Sequence, residues 1–335
     1  MPNRQSETRG GRDLVPMPAK RSTGAVALPA ELLPPIILAA GEKASRRFLE
    51  FFAASIRNPN TRKAYMHAVG AFFAWCEERG LALEQIEPLV VASYIEKHPA
   101  SAPTVKQHLA AIRCLFDWLV VGQVIASNPA ASVKGPKHVT RTGKTPVLEG
   151  EQARALLESI ETDSVKGLRD RALIGVMVYS FGRIGAVVKL RGADYFQNGK
   201  RWWLRLHEKG GKRLEIPVHH KAEEYLDAYL EAAGIADDGK GFVFRSVDRS
   251  GNLTRAALHP DNALMMVKAR ALAAGLPEST CCHTFRATGI TAYLSNGGTL
   301  ENAQYIAGHA SASTTKLYDR RSDKIALSEI ERIVL

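Results

Sequence analysis

Apolar side chains recur at three- and four-residue steps through much of residues 44–130, which is the spacing of one face of an α-helix. The first two such faces contain Phe48, Phe51, Phe52 and Ile56, then Tyr65, Val69, Phe72, Phe73 and Cys76. A third helix is predicted to begin near Pro88, because proline suits a first helical turn. A fourth runs from Thr104 to a stop at Gly122. Residues 44–130 are therefore predicted to form a helical domain with four packed helices.

The second half of the chain changes its period. Helical patterns cover residues 149–161 and 168–181, and short alternating runs then predict strands at 194–196, 202–207 and 213–218, joined by glycine-containing turns at 197–199 and 209–212. Helical patterns return at 221–233, 261–274, 285–295, 300–307, 312–318 and 323–333. The predicted fold is mainly α with a small antiparallel β-sheet, and residues 147–335 are predicted to form the second domain.

Two segments lack a sustained period. Residues 1–43 are rich in proline, glycine, serine and arginine, a composition typical of a flexible basic tail. Residues 131–146 combine prolines and glycines with several lysines and an arginine, which favours an extended basic linker between the two domains.

The charge of the chain indicates what it binds. A formal net charge of +11 over 335 residues favours a polyanionic partner, with nucleic acid ahead of an anionic membrane surface. We see no apolar run long enough to span a bilayer and no secretory signal, so we expect a cytoplasmic protein that does not act at a membrane. The four cysteines lack the CxxC spacing of a zinc site or redox dithiol. Cys76 and Cys114 lie within apolar helical patterns, where a free cysteine packs as a small hydrophobe.

Several residues in the second domain have the chemistry needed to break a DNA phosphodiester bond without a metal. Such a reaction needs a nucleophile, positive donors for the non-bridging oxygens and an acid for the departing oxygen. The candidates, in chain order, are Arg183 at a helix end, Lys209 in a hairpin turn, His283 and Arg286 in a His-Thr-Phe-Arg run, His309 after a glycine, and Tyr318 near the C-terminus.

This order of residues resembles the tyrosine recombinases of the phage integrase family, with the two-domain architecture of its Xer- and Cre-like members. The family pattern is an arginine, a β-hairpin lysine, His-x-x-Arg, Gly-His and a C-terminal tyrosine. Each short motif is weak alone, but all of them occur here in order. The resemblance covers about residues 44–335 and implies a helical DNA-clamping domain followed by a mixed catalytic domain.

The resemblance also implies a role for each candidate. Tyr318 would attack the scissile phosphate and leave a 3′-phosphotyrosine with a free 5′-hydroxyl, so neither ATP nor a metal cofactor is implied. Arg183 and Arg286 would hold the non-bridging oxygens and His309 would donate to the same phosphate. His283 would sit near the tyrosyl proton. Lys209 would protonate the leaving oxygen, with Lys212 in the same turn as the second candidate.

One position departs from the family pattern. The family usually has Glu or Asp three residues after the first arginine, and this chain has Ala186 there. The missing carboxylate belongs to the support around the phosphate-binding groups, and Asp194 is a candidate substitute. The leucine usually found before Gly-His is Ala307, a change that we expect to affect only packing.

Basic residues outside these motifs are candidates for DNA-backbone contacts. In the first domain they alternate with the apolar faces and either face a duplex or form a solvated surface: Arg57, Arg62, Lys63, Lys106 and Arg113. Lys212 is the candidate in the second domain. The resemblance implies binding to double-stranded DNA and assembly as a homotetramer on two DNA sites, with residues after Tyr318 docking on a neighbouring subunit or covering their own core.

Two other functions remain open from the sequence. A type IB topoisomerase shares the tyrosine chemistry but relaxes DNA as a monomer, and a DNA-binding protein could keep the fold without catalysis. Only Ala186 favours the second alternative. The sequence does not distinguish integration, excision, plasmid-dimer resolution and transposon cointegrate resolution.

Overall fold

A computed structural model describes residues 33–138, 143, 145–208 and 211–319. The chain divides between Val139 and Thr140 into two compact units, each with its own core. The fold class predicted from the sequence is confirmed, since both units are largely helical and the strands form small antiparallel sheets.

Within its described residues, the first unit contains the four predicted helices and one more α-helix. Its helices are α1 (Pro35–Ala39), α2 (Glu42–Glu50), α3 (Pro59–Glu77), α4 (Pro88–Lys97) and α5 (Ala102–Val121), and a π-helical turn over Phe51–Ser55 continues α2. Helix α3 begins where the Asn58 side chain accepts hydrogen bonds from the backbone of Asn60 and Thr61. The core of this unit is rich in phenylalanine: Phe48, Phe51, Phe52, Phe72, Phe73 and Phe116.

The flexible tail predicted over residues 1–43 extends too far along the chain, because it includes a helix. Helix α1 lies inside the segment predicted to be flexible, and its Ile36 and Ile37 are buried in the core. The Ile36 backbone N–H also donates to Glu77 on α3 at 3.0 Å. Five residues are too few to show a helical period, so the sequence pattern could not predict this helix. The rest of the predicted tail, residues 1–32, lies outside the described residues.

The predicted linker also starts too early. Ala130 and Val133 are buried in the core of the first unit. The Arg113 guanidinium holds this stretch by donating to the Ala130 carbonyl at 3.0 Å and to the Val133 carbonyl. The first unit therefore continues beyond the predicted boundary, while residues 139–142 and 144 lie outside the described residues. Of the two cysteines predicted to pack in this unit, Cys76 is buried but Cys114 is exposed, so that prediction is wrong for Cys114.

The second unit combines helices with a three-stranded antiparallel sheet. The strands are β1 (Tyr195–Asn198), β2 (Arg201–His207) and β3 (Arg213–Pro217), in the order β1-β2-β3. The helices are α6 (Gly150–Glu158), α7 (Val165–Ser180), α8 (Ile184–Val187), α9 (His220–Ala232), α10 (Pro260–Ala273), α11 (Cys282–Ser295), α12 (Leu300–Ile306) and α13 (Ala312–Lys316). A second hairpin of β4 (Arg245–Val247) and β5 (Leu253–Ala257) was not predicted.

The three strands form the small antiparallel sheet that was predicted. Leu204 and Leu206 on β2 pair with Ile216 and Leu214 on β3, and all four side chains are buried. This alternation also places Trp202 on the core face, and it points Trp203 and Arg205 away from the core. The predicted C-terminal helix at 323–333 lies outside the described residues. Within the described part of the chain, no helix is both long enough and apolar enough to cross a membrane.

Candidate active site

Five of the six predicted catalytic residues lie in the described part of the second unit. Contacts join His283, His309 and Tyr318, and the charges of Arg183 and Arg286 act on both histidines. Arg183 caps the start of α8, His283 and Arg286 are one turn apart on α11, and His309 and Tyr318 follow α12 and α13. The sixth, Lys209, lies outside the described residues. Its neighbours Glu208 and Lys212 face each other across the base of the β2–β3 hairpin, where the Glu208 N–H donates to the Lys212 carbonyl at 2.8 Å.

The Tyr318 hydroxyl lies within hydrogen-bonding distance of His283. Its oxygen is 2.8 Å from His283 Nε2, and the tyrosine is 8% exposed. The Tyr318 ring also stacks on His309, with 5.7 Å between ring centroids and 13° between ring planes. On the backbone side, the Thr291 hydroxyl of α11 donates to the Tyr318 carbonyl at 3.0 Å. The phenol is therefore fixed from two directions beside two imidazoles.

Arg286 is buried in the centre of the site. It is 1% exposed, and its guanidinium donates to the carbonyl of Phe181 and, at 2.6 Å, to that of Ala307. Its Nε has no hydrogen-bond partner among the described residues. Burial and the repulsion from Arg183 lower the pKa of Arg286 to about 10, so it remains a cation at neutral pH. The bonds to the two carbonyls fix the orientation of the guanidinium plane, and the Nε–H remains available to an acceptor.

The carbonyl of Phe181 reaches Arg286 because of a strained backbone position. Phe181 has φ 54° and ψ 22° at the end of α7. This is the left-handed region, which residues other than glycine seldom adopt. Helix α11 can approach it because position 289 is glycine: a Cβ there would lie 2.1 Å from the Val178 carbonyl oxygen. Strain of this kind is common where surrounding contacts enforce a functional geometry.

His309 is held in a buried, neutral state. It follows Gly308, whose φ of +59° makes the tight turn after α12, and its Nδ1 lies 2.8 Å from the hydroxyl of the buried Thr315. Burial, with smaller contributions from Arg286 and Arg183, lowers the pKa of His309 to about 3. The same causes lower the pKa of His283. Both imidazoles are therefore neutral at neutral pH, and each has one nitrogen that accepts and one that donates.

The lowered pKa of His309 predicts a pH dependence of stability. The unfolded chain binds a proton at His309 below about pH 6.5, whereas the folded chain does so only near pH 3. Stability from this residue is therefore complete above about pH 6.5 and is lost as the pH falls toward 3, with a slope of up to about 1.4 kcal/mol per pH unit. We expect His309→Gln to show a correspondingly shallower decrease in unfolding free energy on acidification.

Urea unfolding of the DNA-free protein at a series of pH values measures this slope. His259→Gln is the control, because His259 is exposed at the start of α10. The control should retain the slope of the unsubstituted protein. An equal slope for the unsubstituted protein and His309→Gln would show that His309 is not held neutral by the fold.

Arg183 forms an ion pair that the sequence did not predict. Its Nη1 contacts a carboxylate oxygen of Glu208, whose side chain is 3% exposed, whereas the Arg183 side chain is 40% exposed. Asp194, the suggested substitute for the missing family carboxylate, has other partners. It accepts hydrogen bonds from the Arg191 N–H and from His207 Nε2, each at 3.0 Å. Glu208, and not Asp194, is therefore the carboxylate that pairs with Arg183.

Sequence reasoning also missed the residues that hold the site in place. They are Thr315, Thr291 and the carbonyls of Phe181 and Ala307. No motif contains them, because backbone carbonyls carry no side-chain signal and threonines are common. For Glu208 there was one signal, namely that Ala186 left Arg183 without a carboxylate and Glu208 directly precedes Lys209.

Within the described residues, no group of three or more metal-ligating side chains is present.

The candidate DNA-contacting residues of the first unit fall into two groups. Arg57, Lys63 and Lys106 are exposed. Arg62 and Arg113 are half-buried and donate to backbone carbonyls, Arg62 to that of Ile56 at 2.8 Å. The second pair therefore stabilises the unit itself. In the second unit Lys212 is exposed at the base of the hairpin.

Comparison with known proteins covers both units. Residues 146–324 match the phage integrase family, and residues 46–122 match the phage integrase N-terminal SAM-like domain. A tyrosine recombinase XerC of Chlamydia trachomatis is 31% identical over 71% of this chain and 72% of the relative. A tyrosine recombinase XerD of Ralstonia nicotianae is 28% identical over 77% of this chain and 83% of the relative.

A solved structure has the same fold. The XerH site-specific recombinase bound to palindromic difH substrate, in a post-cleavage complex, superimposes with a TM-score of 0.67 at 17% identity, covering 84% of this chain and 91% of XerH. At this identity the likeness is one of fold. The family match spans more than half of the chain and the XerC relative is matched over most of its length. The chain therefore belongs to the phage integrase family, and it is a tyrosine recombinase that cleaves and rejoins DNA.

Proposed function

We propose that Tyr318 is the nucleophile of strand cleavage. Its hydroxyl oxygen attacks the scissile phosphorus, a new phosphorus–oxygen bond to Tyr318 forms, and the bond to the 5′-oxygen breaks. The products are a 3′-phosphotyrosine and a strand with a free 5′-hydroxyl. The observation that carries this proposal is the 2.8 Å contact between the Tyr318 hydroxyl and His283 Nε2. A neutral His283 accepts the tyrosyl proton, since its lowered pKa leaves it unprotonated at neutral pH.

The arginines and His309 would bind the phosphate. The unpaired Nε–H of Arg286 and the solvent-facing part of Arg183 are donors suited to non-bridging phosphate oxygens. Neutral His309 has one N–H to donate, and its ring already lies against the Tyr318 ring. These groups stabilise the negative charge that grows on the phosphorane oxygens. Such stabilisation is the largest contribution to the rate enhancement in many phosphoryl and acyl transfers.

The departing 5′-oxygen needs a proton, and Lys209 is the proposed acid. It follows Glu208 directly, and Glu208 contacts Arg183, so its place in the chain supports delivery to the same phosphate. Lys212 is the second candidate, because it pairs with Glu208 at the base of the hairpin. Strand exchange reverses these steps: a 5′-hydroxyl from a partner duplex attacks the phosphotyrosine and releases Tyr318, with no consumption of ATP.

The proposed substrate is double-stranded DNA carrying a specific site. Exposed Arg57, Lys63, Lys106 and Lys212 would contact phosphates, which raises affinity without reading sequence and makes binding sensitive to salt. Exchange between two duplexes requires four strand cleavages, and each chain contributes one Tyr318. This stoichiometry supports a homotetramer on two DNA sites. The relatives named above come from bacteria, whose DNA lies in the cytoplasm, and this supports a cytoplasmic location for the enzyme.

A strand-exchange assay separates recombination from its alternatives. The substrates are two labelled duplexes of different length that carry a site selected from random DNA bound by the purified protein. We expect hybrid products in the presence of EDTA and without ATP, and no hybrid from duplexes with a scrambled site. Relaxation of any supercoiled plasmid without exchange would support a topoisomerase instead. Binding without any covalent adduct would support a non-catalytic DNA-binding protein.

A further inference from the structure

The Glu208 carboxylate is a buried charge beside the phosphate-binding arginines. Its side chain is 3% exposed, one oxygen contacts Arg183, and the other has no hydrogen-bond partner among the described residues. Burying a carboxylate is costly unless nearby positive charge compensates for it. Arg183 provides that charge directly, and Glu208 also acts on Arg286, where it opposes the lowering of the pKa. Among the described residues, Arg183 is the ion-pair partner of Glu208.

Glu208 brings to Arg183 a carboxylate that the alanine at position 186 cannot supply. Arg183 is the N-cap of α8, and Ala186 lies three residues later, where its backbone N–H donates to the Arg183 carbonyl at 2.8 Å. An acidic side chain at 186 would therefore reach Arg183, but the buried Ala186 cannot pair with it. Helix α8 packs against β2, and the carboxylate comes instead from Glu208, the residue directly after this strand.

Glu208 also joins Arg183 to the turn that carries Lys209. Its backbone N–H donates to the Lys212 carbonyl and closes the base of the hairpin, while its side chain holds Arg183. One residue thus links a phosphate-binding arginine to the chain segment of the proposed acid. A carboxylate at 186 would contact the arginine from its own helix and would make no link to the hairpin.

We propose that Glu208 is the positioning residue for Arg183, and that it replaces from the β2–β3 hairpin the carboxylate that Ala186 lacks. It acts through Arg183 rather than on the substrate, because its carboxylate would repel a phosphate. The proposal rests on the proposed function of Arg183. Removal of the Glu208 charge lowers the rate of cleavage and has little effect on DNA affinity, since affinity depends on many backbone contacts.

The test is single-turnover cleavage of a nicked duplex by Glu208→Gln, together with its DNA dissociation constant. Glutamine keeps the shape but loses the charge, and we expect the cleavage rate to fall by about 10- to 100-fold. The expected change in dissociation constant is less than about three-fold. Glu215→Gln is the matched control, because Glu215 pairs with Arg205 in the same hairpin but is 48% exposed. It should cleave at the rate of the unsubstituted enzyme.

A second variant tests whether the carboxylate acts through Arg183. Glu208→Ala removes the side chain, and adding Ala186→Glu restores a carboxylate beside Arg183 from α8. We expect the double variant to cleave at least about 10-fold faster than Glu208→Ala, because the charge is again paired with the same arginine. A role in folding alone would not be rescued from another element.

Two results would overturn the proposal. One is a cleavage rate for Glu208→Gln equal to that of Glu215→Gln. The other is a double variant that is folded and bound to DNA but no faster than Glu208→Ala. Failure of the proposed function has a different signature, since the unsubstituted enzyme would then form no covalent adduct with the nicked duplex.

Discussion

Tyr318→Phe is expected to abolish covalent trapping on a nicked duplex while leaving DNA binding intact. The substitution removes the one oxygen that would attack phosphorus and keeps the ring that stacks on His309 at 5.7 Å. Phenylalanine fills the same space in the core and loses only the hydrogen bond to His283. The protein should therefore still fold. We expect cleavage to drop by at least about 10⁴-fold, the scale seen when a nucleophile is removed.

Denaturing gel electrophoresis after incubation with labelled nicked DNA measures the adduct, and a mobility shift measures binding. Tyr305→Phe is the matched control, because Tyr305 is 64% exposed on α12. The control should trap DNA as efficiently as the unsubstituted enzyme. Adduct formation by Tyr318→Phe at the control's level would mean that another residue is the nucleophile.

Arg286→Lys is expected to lower the cleavage rate by about 10²- to 10³-fold, the usual effect of removing a preorganised donor to a growing oxyanion. The guanidinium contacts the carbonyls of Phe181 and Ala307 at once, and its buried Nε–H has no hydrogen-bond partner among the described residues. A lysine ammonium is a single compact centre and cannot take all three positions. The charge is retained, so the effect would come from geometry.

The same variant should also be less stable. At least one buried carbonyl would lose its donor, which destabilises a protein by roughly 1–3 kcal/mol. Arg205→Lys is the matched control, because Arg205 lies in the same unit, pairs with Glu215 and is 31% exposed. It should retain both the cleavage rate and the melting temperature. Cleavage by Arg286→Lys at the control's rate would show that bidentate geometry at this position is unimportant.

The sequence predicted the longer elements well because their apolar periods are sustained. Helices α3 and α5 have 19 and 20 residues, and each buries one apolar face in the first core. Helix α1 was missed because five residues carry too little period, although Ile36 and Ile37 bury fully. The β4–β5 hairpin was missed for the same reason, since its strands have three and five residues with mixed exposure.

The candidate site could be found from the order of its residues, but its internal contacts could not. Motif order pointed to Arg183, His283, Arg286, His309 and Tyr318. The structure joins His283, His309 and Tyr318 by contacts, and the charges of the two arginines act on both histidines. The pairing of Arg183 with Glu208 joins positions 25 apart in the chain and depends on the packing of β2 against α8. Neither residue pattern nor charge count contains that information. The suggestion of Asp194 was wrong because Asp194 is bound within the turn before β1.

Mass spectrometry of the covalent adduct tests the central claim most directly. The protein is trapped on a nicked duplex, digested with nuclease and protease, and the peptides that retain a nucleotide are sequenced. The account predicts a single modified peptide in which Tyr318 carries a 3′-phosphate-linked nucleotide and the released strand ends in a 5′-hydroxyl. A nucleotide attached to any other side chain, or a released strand with a 5′-phosphate, would contradict it.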